Sequence, residues 1–187
     1  MLWAEPHVRT ESDDRVASAD RPAVREARLA LLAIDLAGYT RGVASMPALE
    51  VAAFLDRFYA TCHATVVRAG GRVVKFMGDA CFAVFPQDRC ADAVEAVLAL
   101  AHDRAAWANP WGMSLGANLH LGVVAEGEIG PADARRYDVV GAAVNHLFRM
   151  GGGAGVRVSE PVYLELPDER RSAFQKDAAT ATYTLAT

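Results

Sequence analysis

Residues Leu29-Ala30-Leu31-Leu32-Ala33-Ile34 are apolar at every position, and the run stops at an acid, Asp35. A strand with one wet face alternates apolar and polar side chains. An unbroken apolar run this short is instead what a strand covered on both faces looks like. A chain that contains such a strand must supply other elements to cover it.

The rest of the sequence supplies them. Between Ser45 and Ala69, Val51, Phe54, Leu55, Phe58, Cys62 and Val66 recur at steps of three and four, the stripe of an amphipathic helix. Pro47 suits its first turn and Gly70-Gly71 its end. Arg72–Phe76 and Cys81–Phe85 are β-rich runs separated only by Met77-Gly78-Asp79-Ala80, which predicts a hairpin closed by Pro86. Asp88 is placed to cap a second helix, with Cys90, Val94, Val97, Leu98 and Ala101 on one face. Strand-like runs follow at 113–124 and 136–140. A short helix over Ala142–Met150 is stopped by Gly151-Gly152-Gly153. A strand at Gly155–Ser159, a helical turn at Pro161–Leu166 and a last strand at Ala181–Leu185 complete the order. Strands and helices mixed with hairpins predict an α+β domain, with helices on one face of a mainly antiparallel sheet.

The 187 residues suffice for one domain with its own core. Residues 1–27 mix acids and bases without apolar periodicity and carry Pro6 and Pro22, so they are expected to form a flexible leader or linker remnant, with 28–187 the folded domain. No uncharged apolar stretch of about 18 residues exists, so no spanning helix is expected. Charged residues stand where a signal peptide needs an apolar run, and Cys62, Cys81 and Cys90 have neither metal spacing nor an even count. They are expected to be reduced packing residues in a cytoplasmic protein. The net charge of −4 gives no overall field for a nucleic-acid polymer, so any phosphate must be held by local groups or metal ions.

Asp35 and Asp79 both stand where apolar strand gives way to loop. Singly each reads as a turn residue; together they offer carboxylate oxygen to a hard cation. Gly38-Tyr39-Thr40 can present backbone N–H groups to a phosphate, although the spacing is not that of a P-loop. Asn145 and Arg149, four apart, share one helix face opposite Val144, Leu147 and Phe148, which a solvated amphipathic helix also explains. The five histidines have no ligand spacing, and no nucleophile elbow is present. Trp107 and Trp111 fall on apolar faces.

Four segments, in order, resemble the catalytic domain of class III adenylate/guanylate cyclases. They are Ala33–Thr40, Gly70–Asp79, Gly122–Gly130 and Tyr137–Met150, and the likeness runs from about Ala30 to Leu185. The resemblance implies a ferredoxin-like, palm-type domain. It makes Asp35 and Asp79 the carboxylates for two divalent cations (Mg²⁺ or Mn²⁺), with the Ile34 carbonyl an extra ligand. Lys75 and Asp138 would read the purine, Asn145 would orient the ribose and Arg149 would contact the α-phosphate. The triphosphate would lie on the Gly38–Thr40 loop, with Lys176 the nearest candidate for the family's tail lysine. The site would lie between two subunits of a homodimer, Lys75, Asp138, Asn145 and Arg149 of one facing Asp35 and Asp79 of the other.

The residue types suit ATP. Lys75 can donate to adenine N1 and Asp138 can accept from the N6 amine, whereas guanine reverses both contacts. Each buried mismatch costs about 1–3 kcal/mol. The expected activity is therefore adenylate cyclase, giving cyclic AMP and pyrophosphate. A guanylate cyclase and a catalytically inactive cyclase-like regulatory or dimerisation domain are the alternatives. The Gly-Gly-acid-acid signature of diguanylate cyclases is missing.

Overall fold

The structure, a computed structural model, describes residues 24–103, 112–178 and 180–185. The apolar run lies in β1 (Arg25–Ala37), the middle of an eight-stranded sheet. β1 pairs antiparallel with β3 (Ala80–Pro86) on one edge and, over its whole length, with β4 (Ser114–Ile129) on the other. β2 (Arg72–Met77) forms the hairpin with β3. β4 continues to β6 (Gly155–Ser159) in the parallel sense, and then β8 (Thr182–Leu185) and β7 (Phe174–Asp177) follow antiparallel. β5 (Arg136–Val140) pairs with the far end of β4, so the sheet is mainly antiparallel, as expected.

Both faces of β1 are covered. Ala30, Leu32, Ile34 and Leu36 pack with Phe54, Phe58, Cys62 and Val66 of α2 (Ala48–Arg68) and with Val94 and Val97 of α3 (Cys90–His102). Val162 of α5 (Glu160–Glu165) joins the same layer. The alternate residues Leu31 and Ala33 pack with Phe82, Val84, Val124 and Val139, and with Ala143 and Leu147 of α4 (Ala142–Arg149). The expectation of helices on one face is thus corrected: α4 covers the second face. A strand without polar alternation needs both layers, since each exposed Leu would forgo about 1.5–3 kcal/mol of burial.

Several local expectations shift. The helix expected over 45–69 is the single helix α2 with Pro47 as its N-cap, and a separate short helix, α1 (Tyr39–Val43), begins inside the stretch Leu36–Thr40 that reads as a loop. Asp88 caps nothing; it lies in a 3₁₀ turn, Gln87–Arg89, and the N-cap of α3 is Arg89 without a side-chain cap bond. The strand expected to end at 124 runs to Ile129. β7 and α6 (Asp168–Arg171) had no expectation. The fold starts earlier than expected: Arg25–Ala27, assigned to the leader, extends β1, where Arg25 bonds Glu126 at 2.7 Å. Residues 1–23 of the expected leader, and Trp107 and Trp111, lie outside the described residues.

The three cysteines are free and buried. A hydrogen bond with Cys81 and burial push the Cys62 thiol up, and burial with the nearby Glu165 charge pushes Cys90 up to about 12. Among the described residues no helix is long and apolar enough to cross a membrane.

Candidate active site

Asp35 ends the buried run of β1, and Asp79 sits in the β2–β3 turn. Gly78, at φ +60°, makes the turn only two residues long. Tyr59 of α2 pins it: its hydroxyl donates to the Gly78 carbonyl, and its ring stacks on Phe76, centroids 4.1 Å apart. The turn brings the two carboxyls within hydrogen-bonding reach of each other. Burial and the Asp35 charge push Asp79 up, although its own N–H and that of Leu36 partly stabilise the ionised form. Together with Gly38–Arg41 and Gly153, the two acids line a cleft of about 470 Å³. The Ile34 side chain is fully buried in the core, directly before Asp35.

This donor set fits a hard divalent cation. Two carboxylates forced together repel, one is pushed toward protonation, and a cation removes that penalty. Among the described residues no third His, Cys, Asp or Glu joins them, so further oxygen must come from backbone, water or substrate.

Lys75 and Asp138 meet by a longer route. Val73 pairs with Ala83 but Lys75 pairs with Phe82, so a bulge sits between them. Ala83 belongs to the α2/α3 layer and Phe82 to the α4 layer, hence the bulge turns Lys75 onto the second face. β5 joins β4 on the edge away from β1, because Ala125 and Glu126 pair with β1 and β5 at once. β2 and β5 are therefore four pairing steps apart, about 19 Å in a flat sheet. Yet Lys75 Nζ donates to Asp138 Oδ2 at 2.7 Å, so the sheet coils until its ends meet over the second face. Val139 N–H donates to Asp138 Oδ1 at 2.8 Å. Burial alone would raise the Asp138 carboxyl, but the Lys75 bond, the Val139 N–H and the Lys75 and Arg136 charges outweigh it and hold it below its ordinary value.

Asn145 and Arg149 lie on the exposed side of α4, with Arg149 Nε donating to the Asn145 carbonyl at 3.1 Å. The buried side is Ala143 and Leu147; Phe148, expected there, is 45% exposed. Asn118 of β4 ties down the helix end, its Nδ2 donating to the Gly151 carbonyl at 2.8 Å. His120 and His146 hold α4 to β4, ring centroids 4.4 Å apart, with His120 Nδ1 2.9 Å from Ser159 Oγ.

Lys176 stands apart. It lies on β7, the edge strand opposite β2, paired with Tyr183 and 3.8 Å from Glu160 Oε1. One chain therefore brings together Asp35 with Asp79 and the start of α1 at Gly38–Thr40, Lys75 with Asp138, and Asn145 with Arg149, but not Lys176 with any of them. Sequence reasoning missed Tyr59, Arg72, Glu126 and Tyr137. Arg72 precedes Lys75 by three residues and Tyr137 precedes Asp138, but no local pattern says that the two strands meet.

No protein-family model matches the chain. An uncharacterized protein of Mycobacterium tuberculosis is 34% identical over 140 residues, 72% of this chain and 24% of that protein. An adenylate cyclase of Anabaena cylindrica is 27% identical over 154 residues, 74% of this chain and 31% of its own length. The chain thus spans 24% to 31% of the length of these curated relatives. Among solved structures, the adenylyl cyclase CyaB from P. aeruginosa superposes with a TM-score of 0.75 at 14% identity, covering 88% of this chain and 96% of that one. The guanylyl cyclase domain of a rhodopsin fusion protein from the fungus Blastocladiella emersonii gives 0.72 at 20% identity, covering 87% and 96%. At such identities a structural likeness speaks for the fold, and the chain has the fold of the class III adenylyl/guanylyl cyclase catalytic domain.

Proposed function

We propose that this chain is an adenylate cyclase catalytic domain, converting ATP to 3′,5′-cyclic AMP and pyrophosphate at two equivalent sites of a homodimer. The observation that carries the reading is the Lys75–Asp138 pair, a donor beside an acceptor at 2.7 Å. Adenine offers the complement on neighbouring atoms, an N1 acceptor and an N6 donor, and guanine offers the reverse.

Each group has a role in the in-line attack of the 3′-hydroxyl on the α-phosphorus. Asp35 and Asp79, with the Ile34 carbonyl, would hold two divalent cations, Mg²⁺ or Mn²⁺. When bound, these ions supply acidification of the hydroxyl and charge neutralisation at the leaving group. Asn145 orients the ribose. Arg149 places fixed positive charge where the α-phosphate gains negative charge. Gly38 and the first α1 residues Tyr39 and Thr40, lining the cleft beside the two acids, bear on the phosphates. Lys176 is assigned to the triphosphate tail, which requires it to exchange its Glu160 contact for phosphate. Lys75, Asp138, Asn145 and Arg149 of one protomer act with Asp35 and Asp79 of its partner, so each dimer carries two sites.

The test is product identification by chromatography with purified protein, Mn²⁺ and either ATP or GTP. Cyclic AMP from ATP with little cyclic GMP from GTP supports the reading. Preferential cyclic GMP overturns the purine assignment and favours a guanylate cyclase. No cyclic product from folded, dimeric protein leaves a regulatory or dimerisation domain.

A further inference from the structure

The purine pair depends on where β5 lies, because Asp138 stands on it. β5 is five residues long, pairs with β4 along one edge and reaches β2 only across the coiled face. Besides the Lys75–Asp138 bond, a second polar contact spans this seam: the Arg72 guanidinium lies over the Tyr137 ring, Cζ 3.4 Å from the centroid. The Tyr137 hydroxyl donates to Glu126 Oε2 at 2.5 Å, and Arg25 donates to the other oxygen of Glu126 at 2.7 Å. Glu126 is buried, so its carboxylate needs both partners. Burial and the Glu126 carboxylate push the Tyr137 phenol up from its ordinary value.

We propose that Arg72 and Tyr137 are positioning residues for purine selection, a cation–π clamp that holds β5 against β2 and so fixes Asp138 opposite Lys75. The proposal rests on the reading of Lys75 and Asp138 as the base-reading pair. Discrimination by hydrogen bonds works only if donor and acceptor stay in register with the edge of the base. Lys75 has a long stem and adapts by itself; Asp138 has a short one, and its place is the place of β5. With the clamp gone, β5 can swing outward, adenine loses its N6 acceptor, and guanine escapes the repulsion between its O6 and the carboxylate.

The experiment compares wild type, Arg72→Met, Tyr137→Phe and Tyr137→Leu in two measurements. The first is kcat and KM for ATP and GTP; the second is hydrogen exchange of the β5 peptide, with β1 as reference. Arg72→Met and Tyr137→Leu should lower the ATP-to-GTP ratio of kcat/KM at least tenfold, mostly through KM for ATP. The same two variants should speed β5 exchange while β1 stays protected. Tyr137→Phe keeps the ring under Arg72 and should retain most of the preference. An ATP-to-GTP ratio within twofold of wild type in Arg72→Met overturns the proposal, as does unchanged β5 exchange. A merely structural contact would speed exchange and leave the ratio alone. Should wild type itself show no ATP preference while β5 opens as expected, the assignment of Lys75 and Asp138 falls, and the clamp is left without a role in selection.

Discussion

Asp138→Asn keeps the shape of the side chain and changes only what it can accept. Both carboxylate oxygens are occupied by donors, Oδ1 by Val139 N–H at 2.8 Å and Oδ2 by Lys75 Nζ at 2.7 Å. An amide has one acceptor oxygen and one NH₂. Whichever way it turns, the NH₂ meets another donor, a mismatch of about 1–3 kcal/mol that the site relieves by separating Lys75 from residue 138. Stability should change little. The Lys75 and Asp138 side chains are 34% and 17% exposed, so losing the pair costs about 1 kcal/mol after solvent screening, or about 2–4 °C in Tm. Selectivity should change more. Toward adenine a charge-assisted bond becomes a neutral one, and toward guanine an acceptor facing O6 becomes an available donor. The combined change of about 1–3 kcal/mol predicts an ATP-to-GTP ratio of kcat/KM lower by about 5- to 150-fold. The assay is initial-rate cyclic nucleotide formation with each substrate in Mn²⁺, on protein whose melting curve shows it folded. A ratio within twofold of wild type would refute the assignment of Asp138 to the base.

Asp35→Ala and Asn145→Ala should each be inactive, yet regain activity when mixed and allowed to exchange subunits, because the heterodimer rebuilds one complete site; no recovery despite demonstrated exchange refutes a shared site. Gly71→Ala would place a Cβ 2.4 Å from Cε1 of the fully buried Phe85, so chemical denaturation should register a loss of about 1–3 kcal/mol, and an unchanged midpoint would contradict that packing. Burial and the His146 charge push His120 down to about 4. The unfolded chain protonates this residue near pH 6.5, so its stabilising effect is complete above that pH and drains away as pH falls toward 4. The ring is half-buried, and the loss should be about 1–2 kcal/mol; urea midpoints of His120→Asn should be flatter than wild type over this window, and parallel curves would refute it.

Much of the site was legible because its parts are local. A carboxylate at the end of a doubly buried strand, another in a Gly-Asp turn, and an Asn and an Arg four apart on a short helix follow from periodicity and turn chemistry, and each stands where expected. The apolar run alone required cover on two faces, and both layers are present. The sequence did not reveal which helix goes where, since an apolar stripe states only that a face is buried and not against what. Phe148 looked like part of such a stripe and is half-exposed beside Arg149. The Lys75–Asp138 contact was beyond any local signal. It depends on a one-residue bulge that turns Lys75 to the second face and on a coil that closes four pairing steps. The same coil brings Arg72 onto Tyr137. Residue types and their order are one-dimensional facts, and they determined the chemistry available to this chain. Register, bulge and coil are cooperative outcomes of packing over the whole sheet, and only they decided which of those groups meet.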